Sequence, residues 1–168
     1  MTNKEQIKQL FKEYPNINII VEDLGNLRPE VLELRDYFNL SGMRELEFTI
    51  FEDELQDKHV EMPNQIYYVS THDNETLNEW ISNQKPEDIK NLEKRVDNLG
   101  FTGDNLCEKL VKYALNRKER MIIMSVTDIL NLDKKYRMNK PGIIDEINWT
   151  FKLKSFKNLK QVLKKVLM

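Results

Sequence analysis

The chain alternates between stretches with helical periodicity and short apolar runs, and this alternation restricts the folds open to it. Apolar residues recur at helical spacing in segments that begin near Ile7, Pro29, Ile89 and Leu106. Runs typical of strands lie between these segments, at residues 17–21, 46–50, 66–69 and 121–126. The first run is almost continuously apolar, which predicts a strand buried on both faces. Strands that alternate with helices favour parallel βα units joined by right-handed crossovers.

The length of the chain limits how such units can be arranged. With 168 residues the chain has the size of a single domain with a sizeable core. A closed eight-stranded barrel of parallel strands usually needs about 250 residues. Four strands therefore predict an α/β fold that is either about half of such a barrel or a small open sheet.

Composition excludes several classes of protein. The chain is 40% hydrophobic and 32% charged, with 5 glycines and 5 prolines, which argues against disordered and collagenous chains. No apolar run approaches the roughly 18 residues of a membrane helix, and no signal-peptide pattern opens the chain. A single cysteine and two histidines argue against disulfides and a His/Cys metal cage. We expect a cytoplasmic protein with no metal, no cofactor and no membrane partner, in which Cys107 serves packing.

The end of the chain is strongly basic. Residues 152–168 contain six lysines and no acidic residue, whereas the net charge of the whole chain is −2. Leu159, Leu163 and Val166 recur there at helical spacing, which predicts a helix that packs its apolar face on the body. We therefore divide the chain into residues 1–150 and a basic amphipathic segment, 151–168. A weaker alternative is that the lysines bind nucleic acid or an anionic membrane; we expect no such partner.

Polar side chains follow two of the expected strands, at the point where each strand ends. Glu22 and Asp23 follow the run 17–21, and residues 71–74, Thr-His-Asp-Asn, follow the run 66–69. In parallel α/β folds, sites form in the loops after the carboxyl ends of the strands. Two carboxylates from neighbouring strand ends can divide acid and base roles, because burial and like charge separate their pKa values. The same residues could instead cap helices or form turns.

Five blocks of sequence, in order, carry a family resemblance. They are residues 19–25 (IIVEDLG), 41–43 (SGM), 70–76 (STHDNET), 127–132 (TDILNL) and 137–142 (RMNKPG), the last closed by Asn148-Trp149. Together they resemble successive blocks of the 4-α-glucanotransferase (amylomaltase, disproportionating enzyme) family. The resemblance implies a (β/α)₈ TIM barrel, of which this chain would supply about the last four strands. It also implies transfer of α-1,4-glucan segments between oligosaccharides with retention of anomeric configuration.

The resemblance assigns roles to individual residues. Glu22 matches the general acid/base, and Asp73 matches the carboxylate that stabilises the transition state by holding sugar hydroxyls. His72, Asp23 and Asn74 are then expected to bind the substrate, an α-1,4-glucan or maltooligosaccharide. These roles suit retaining glycosyl transfer, in which one carboxyl group must be protonated near neutral pH.

The chain also departs from the family pattern. Retaining transfer needs a nucleophilic carboxylate about 5–5.5 Å from the acid/base, yet these 168 residues contain no Arg-x-Asp-His motif to provide it. Thr127 replaces a usual glutamine, and residues 143–147 replace a glycine-rich turn. We expect the chain to be inactive alone, and to be completed by a complementary N-terminal half or by a second copy. The alternative is a non-catalytic half-barrel that binds α-glucan or another protein.

Overall fold

The computed structural model describes residues 3–55 and 64–167, which form an α/β fold around a small parallel sheet. Three strands are present in the described residues: β1 (Met43–Glu45), β2 (Ile66–Tyr68) and β3 (Met121–Ile123). Their order is β1-β2-β3, and Met43 aligns with Ile66, which aligns with Met121. The carboxyl ends of all three strands therefore lie at the same edge of the sheet. The expectation of parallel βα units is confirmed.

The predicted first strand, residues 17–21, is reduced to a single parallel bridge between Ile20 and Ser41. The Val21 amide donates a hydrogen bond of 2.8 Å to the Ser41 carbonyl. Ile17 and Ile20 are 41% and 43% exposed, so the prediction of a strand buried on both faces is wrong. The apolar run indicates burial, but within the described residues it has a strand neighbour on one side only.

The predicted second strand, residues 46–50, is also wrong, because this segment is helical. Helix α3 (Leu46–Leu55) follows β1 directly. Leu46 and Ile50 are buried, whereas Phe48 is 57% exposed. Residues four apart share one face of a helix as well as one face of a strand. The short alternation Leu46, Phe48, Ile50 was therefore compatible with either structure, and the exposure of Phe48 follows from the helix.

The described residues contain seven further helices. They are α1 (Asn3–Glu13), α2 (Pro29–Tyr37), α4 (Leu77–Asn83), α5 (Pro86–Asn98), α6 (Leu106–Leu115), α7 (Val126–Ile129) and α8 (Phe156–Leu167), with a 3₁₀ turn at Lys134–Tyr136. All five predicted helical segments are confirmed, and Pro29 and Pro86 open their helices as prolines favour. Thr76 caps α4 by accepting a hydrogen bond from the Glu79 amide, at 3.2 Å.

Helix α6 lies at the centre of the core. Its residues Leu110 and Ala114 are fully buried, in one cluster with Leu46 of α3 and Val96 of α5. Cys107 belongs to this cluster, which confirms its packing role. Burial, helped by the negative charge of Asp128, raises the pKa of the Cys107 thiol to about 12. Its thiolate is therefore disfavoured near neutral pH, and Cys107 is a poor nucleophile.

The basic C-terminal segment docks on the body as a helix, as predicted. Helix α8 packs against α6 and α7, and Val166 belongs to the buried core. The Lys165 ammonium lies 2.5 Å from the Asp104 carboxylate and 2.6 Å from that of Glu108. Apolar burial and opposite charge thus act together at this contact. None of the helices in the described residues is long and apolar enough to span a bilayer.

Candidate active site

A cavity of about 610 Å³ opens at the carboxyl edge of the sheet. The last residues of the three strands, Glu45, Tyr68 and Ile123, all line it. Four of the predicted site residues line it too: Glu22, His72, Asp73 and Asn74. Its volume falls in the range of ligand-binding clefts, about 300–1,000 Å³. Parallel topology has thus brought together polar residues that are some fifty positions apart in sequence.

Asp23 is the predicted site residue that does not line the cavity. Its side chain is 3% exposed and lies 2.5 Å from the Arg35 guanidinium of α2. Its other carboxylate oxygen accepts a hydrogen bond of 2.6 Å from the Met43 amide at the start of β1. A Cβ atom added at Gly42 would overlap the Asp23 carboxylate, so only glycine leaves room for this contact. Asp23 therefore fixes the segment that carries Glu22 against the sheet.

Asp73 is half exposed and is held by residues from a distant part of the chain. The Asn139 amide donates a hydrogen bond of 2.6 Å to the Asp73 carboxylate. The Arg137 guanidinium donates one of 2.8 Å to the Asp73 backbone carbonyl. Sequence reasoning assigned no role to Arg137 or Asn139, although both lie in the block 137–142 that it singled out. They orient Asp73 in the structure.

His72 lies at the rim of the cavity beside an exposed aromatic ring. The ring centroids of His72 and Trp149 are 5.3 Å apart, and Trp149 is 61% exposed. The Trp149 amide donates a hydrogen bond of 2.8 Å to the Met138 carbonyl. His72 Nε2 also lies 3.4 Å from the Asp73 carboxylate. The His72 imidazole, which lines the cavity, and the Trp149 indole beside it provide hydrogen-bonding and apolar surfaces that a sugar ring can contact.

Asn74 lines the cavity, but its amide group also holds its own loop together. The Asn74 carbonyl oxygen accepts a hydrogen bond of 2.7 Å from the Thr71 amide and another from the Thr71 hydroxyl. Its NH₂ group donates to the Glu47 carboxylate. These bonds fix the loop 71–74 in a turn that asparagine favours.

Asp128 supports the same loop from the interior and was missed as a functional residue. It is 1% exposed, accepts a hydrogen bond from the Ser70 hydroxyl, and accepts another of 2.8 Å from the Leu77 amide. Burial raises the pKa of Asp128, and these hydrogen bonds oppose the rise. Asp128, which belongs to α7, thus connects this helix to the end of β2 and to the start of α4. The resemblance placed it in a block without giving it a role.

Sequence reasoning missed two further acidic residues: Glu45, which lines the cavity, and Glu47, which does not line it but accepts a hydrogen bond from Asn74. Glu45 is 2% exposed and lines the cavity. Burial raises the pKa of Glu45, with the negative charges of Glu22 and Asp73 adding to the rise. Burial, together with the charge of Glu45, raises the pKa of Glu47 to about 7. Both alternate with the apolar residues Leu46, Phe48 and Ile50, so the strand prediction placed them on the solvent-facing side. The sequence therefore did not indicate that they are buried.

The described residues contain no group of three or more His, Cys, Asp or Glu side chains arranged to hold a metal ion. The polar side chains that line the cavity provide carboxylates, an imidazole, an amide and the hydroxyl groups of Tyr68, Ser70, Thr71 and Ser125. Such groups can form hydrogen bonds with the hydroxyl groups of a ligand and can exchange protons with them.

Comparison with solved structures shows the same fold. Amylomaltase from Streptococcus agalactiae in complex with acarbose superposes with a TM-score of 0.81 and 23% identity, over 99% of this chain and 34% of that one. Amylomaltase from Corynebacterium glutamicum superposes with a TM-score of 0.58 and 14% identity, over 90% of this chain and 28% of that one.

Sequence comparisons agree. The 4-alpha-glucanotransferase of Aquifex aeolicus is 32% identical over 98% of this chain and 34% of its own length. The chloroplastic/amyloplastic enzyme of Solanum tuberosum is 31% identical over 89% of this chain and 26% of its own. The chain thus spans about a third or less of the length of these relatives. The family model for 4-alpha-glucanotransferase matches residues 1–159, and the chain therefore belongs to the 4-alpha-glucanotransferase family.

Proposed function

We propose that the chain forms the acid/base portion of an enzyme that transfers α-1,4-glucan segments between oligosaccharides. Residues 1–150 would form about the last four strands of a (β/α)₈ barrel with their helices, and residues 151–168 would form the basic segment that carries α8. Glu22 would be the general acid/base and Asp73 the group that stabilises the transition state. His72 would bind sugar hydroxyls, Asn74 would hold loop 71–74 in the conformation that presents His72 and Asp73, and Asp23 would position Glu22.

One observation supports these roles above all: Glu22 and Asp73 line the same sugar-sized cavity. Glu22 and Asp73 follow segments on either side of β1, residues 17–21 and β2, at the carboxyl edge of the sheet. Asp73 is held by Asn139 and Arg137, which leaves it in a defined position before any ligand binds. Such preorganisation favours groups that must interact most strongly with the transition state. The acarbose complex of the Streptococcus agalactiae amylomaltase supports an oligosaccharide as the ligand.

The proposed reaction has two steps. In the first, Glu22 gives its proton to the glycosidic oxygen as the bond between that oxygen and the anomeric carbon breaks. A carboxylate nucleophile forms an ester bond with the anomeric carbon. In the second, an acceptor hydroxyl gives its proton to Glu22 and attacks the anomeric carbon, and the ester bond breaks. Asp73 binds ring hydroxyls, and these hydrogen bonds strengthen as positive charge develops on the ring.

The nucleophile in this scheme comes from outside these 168 residues. The exposed segment 17–21 provides the place where a further strand can pair, since it bridges to Ser41 on one side only among the described residues. We infer that the strand carrying the nucleophile lies along this segment. The nucleophile would then stand beside Glu22, which immediately follows the segment.

The experiment pairs the chain with the part of the Aquifex aeolicus 4-alpha-glucanotransferase that precedes the region it matches. The two polypeptides are co-expressed and supplied with maltotriose, and longer and shorter oligosaccharides are separated by chromatography. We expect transfer by the pair, no transfer by the 168-residue chain alone, and at least a 100-fold loss with Glu22→Gln, because general acid catalysis contributes about 10²–10⁴-fold. Glu33→Gln, an exposed position of α2, is the matched control and should keep full activity.

Two results would contradict the proposal. Transfer by the isolated wild-type chain would show that no outside nucleophile is needed. Undiminished transfer by the pair with Glu22→Gln would remove Glu22 from the chemistry. If the pair binds maltooligosaccharide but never transfers it, the chain is better described as a glucan-binding module.

A further inference from the structure

Glu45 is a buried acidic residue in the cavity that the proposed mechanism does not use. It is the last residue of β1, it is 2% exposed, and it lines the cavity with Glu22 and Asp73. Its Oε2 atom is buried and has no hydrogen-bond partner among the described residues. A buried polar atom without a partner destabilises a protein, and where one persists in a native structure it calls for an explanation.

The surroundings of Glu45 make its burial still less favourable. Glu22 and Asp73 place negative charge nearby and, after burial itself, raise the pKa of Glu45, while His72 and a hydrogen bond from Asn74 lower it. A carboxyl group that is harder to ionise is a weaker nucleophile, but it can donate a hydrogen bond as well as accept one. Leu46, the next residue, belongs to the apolar core. An apolar side chain at position 45 could therefore be buried there as well, without the cost of burying a carboxyl group.

We propose that Glu45 is a substrate-binding residue whose carboxyl group turns on binding, so that the unpartnered Oε2 faces the cavity and pairs with a hydroxyl group of the sugar ring held between Glu22 and Asp73. The inference rests on the proposed function and adds a third carboxyl group to the same sugar site. Functional groups of this kind are commonly retained at a cost to stability. Replacement of Glu45 by an apolar residue should then weaken glucan binding without weakening the fold. A purely structural carboxyl group would give the opposite pattern.

The test measures binding of maltohexaose to the 168-residue chain by NMR titration, alongside the melting temperature. Glu45→Met keeps the length of the side chain and removes both oxygens, and we expect binding to weaken at least about tenfold, since a buried sugar hydroxyl loses its partner. Glu45→Gln keeps a hydrogen-bonding group and should stay within about threefold of wild type. The melting temperature of Glu45→Met should equal or exceed that of wild type.

Glu79 provides the matched control. Its Oε2 is also buried without a hydrogen-bond partner among the described residues, but Glu79 lies in α4 and does not line the cavity. Glu79→Met should leave maltohexaose binding unchanged. If Glu45→Met does not fold, Glu45→Ala, which removes the carboxyl group without adding apolar bulk, is judged by the same criteria.

The possible results separate the two proposals. If wild type binds maltohexaose, Asp73→Asn weakens binding and the apolar variants of Glu45 do not, the role of Glu45 is wrong and the glucan site stands. If binding to an apolar variant is unchanged while its melting temperature falls, Glu45 is a structural residue. If wild type does not bind maltohexaose at all, the glucan-binding part of the proposed function fails, and the role of Glu45 fails with it.

Discussion

The carboxyl groups around the cavity occupy two kinds of environment. Glu22 is exposed and Asp73 is half exposed, so both can reach a ligand that enters from solvent. Glu45 is almost fully buried, and Glu47 is partly buried behind Asn74. Sequence identified the first pair, because each residue follows an apolar run at a strand end. It could not identify the second pair, because the burial of Glu45 and Glu47 depends on how loop 71–74 packs over them.

Glu47 predicts how stability changes with pH. Its folded-state pKa is raised from 4.5 to about 7, so between these values the folded chain holds a proton that the unfolded chain has lost. The contribution of Glu47 to stability is therefore full below about pH 4.5 and declines as pH rises towards 7. We expect Glu47→Gln to raise the free energy of unfolding at pH 8 by about 1–2 kcal/mol. Urea denaturation at pH 5 and pH 8 measures this change.

The contrast between the two pH values is the informative quantity in that experiment. Glu47→Gln should gain more stability at pH 8 than at pH 5, and Glu33→Gln, which is exposed on α2, should show no such contrast. An equal effect of Glu47→Gln at both pH values would mean that Glu47 titrates normally in the folded chain.

Secondary-structure elements were predicted well where the pattern was long and poorly where it was short. Helix α5 has apolar residues over three turns and an opening proline, and no strand can share that pattern. The segment 46–50 covers five residues, too few to distinguish spacings of two and four. Helix α4 was missed, although Thr76 and Glu79 have the spacing of a capping box at its start. Local signals at helix ends were therefore more informative than short apolar alternation.

The docking of α8 predicts a contrast between two neighbouring residues of that helix. Val166 is buried in the core, whereas Leu167 is 67% exposed. Val166→Ala removes two buried methyl groups and should lower the free energy of unfolding by about 1–3 kcal/mol. Leu167→Ala should change it by less than about 0.5 kcal/mol. Thermal or urea denaturation of the two variants, compared with wild type, checks the difference.

Equal losses in the two variants would be inconsistent with the orientation of α8, and no loss in either would mean that α8 does not pack on α6 in solution. The lysine at position 165 should be kept in both variants, because its contacts with Asp104 and Glu108 also hold the helix.

At the scale of the whole molecule, residues 17–21 form an exposed edge. In a closed barrel such a segment would have a strand neighbour on each side, whereas among the described residues it has one on one side only. The apolar sequence of this segment is suited to burial on both faces, yet Ile17 and Ile20 are exposed. Unpaired strand edges with apolar side chains promote pairing with another chain. The residues themselves predicted burial, but burial also depends on neighbouring strands, and the part of the chain that the structure describes gives this segment a strand neighbour on one side only. The cavity was easier to anticipate, because its parts follow the ends of parallel strands.

The exposed edge predicts which substitution disrupts assembly. Ile20→Lys should weaken association with the complementary Aquifex aeolicus polypeptide at least tenfold, because an apolar side chain that would be buried becomes charged. The melting temperature of the isolated chain should change little, since Ile20 is already 43% exposed. Analytical ultracentrifugation of the mixed polypeptides measures the association.

Ile144→Lys is the control, because Ile144 is fully exposed in a different loop. It should leave association unchanged. If Ile20→Lys associates as wild type does, the complementary polypeptide does not cover this edge. If wild type alone forms dimers that Ile20→Lys abolishes, a second copy covers the edge instead.

The contact between Gly42 and Asp23 restricts how this molecule can vary. Any side chain at position 42 would overlap a carboxylate that Arg35 and the Met43 amide already hold in place. A change there cannot be absorbed by a small rotation of Asp23, because both of its oxygens are engaged. We therefore expect substitutions at positions 23, 35 and 42 to be correlated among related sequences. A related sequence without glycine at position 42 should also lack the ion pair between positions 23 and 35.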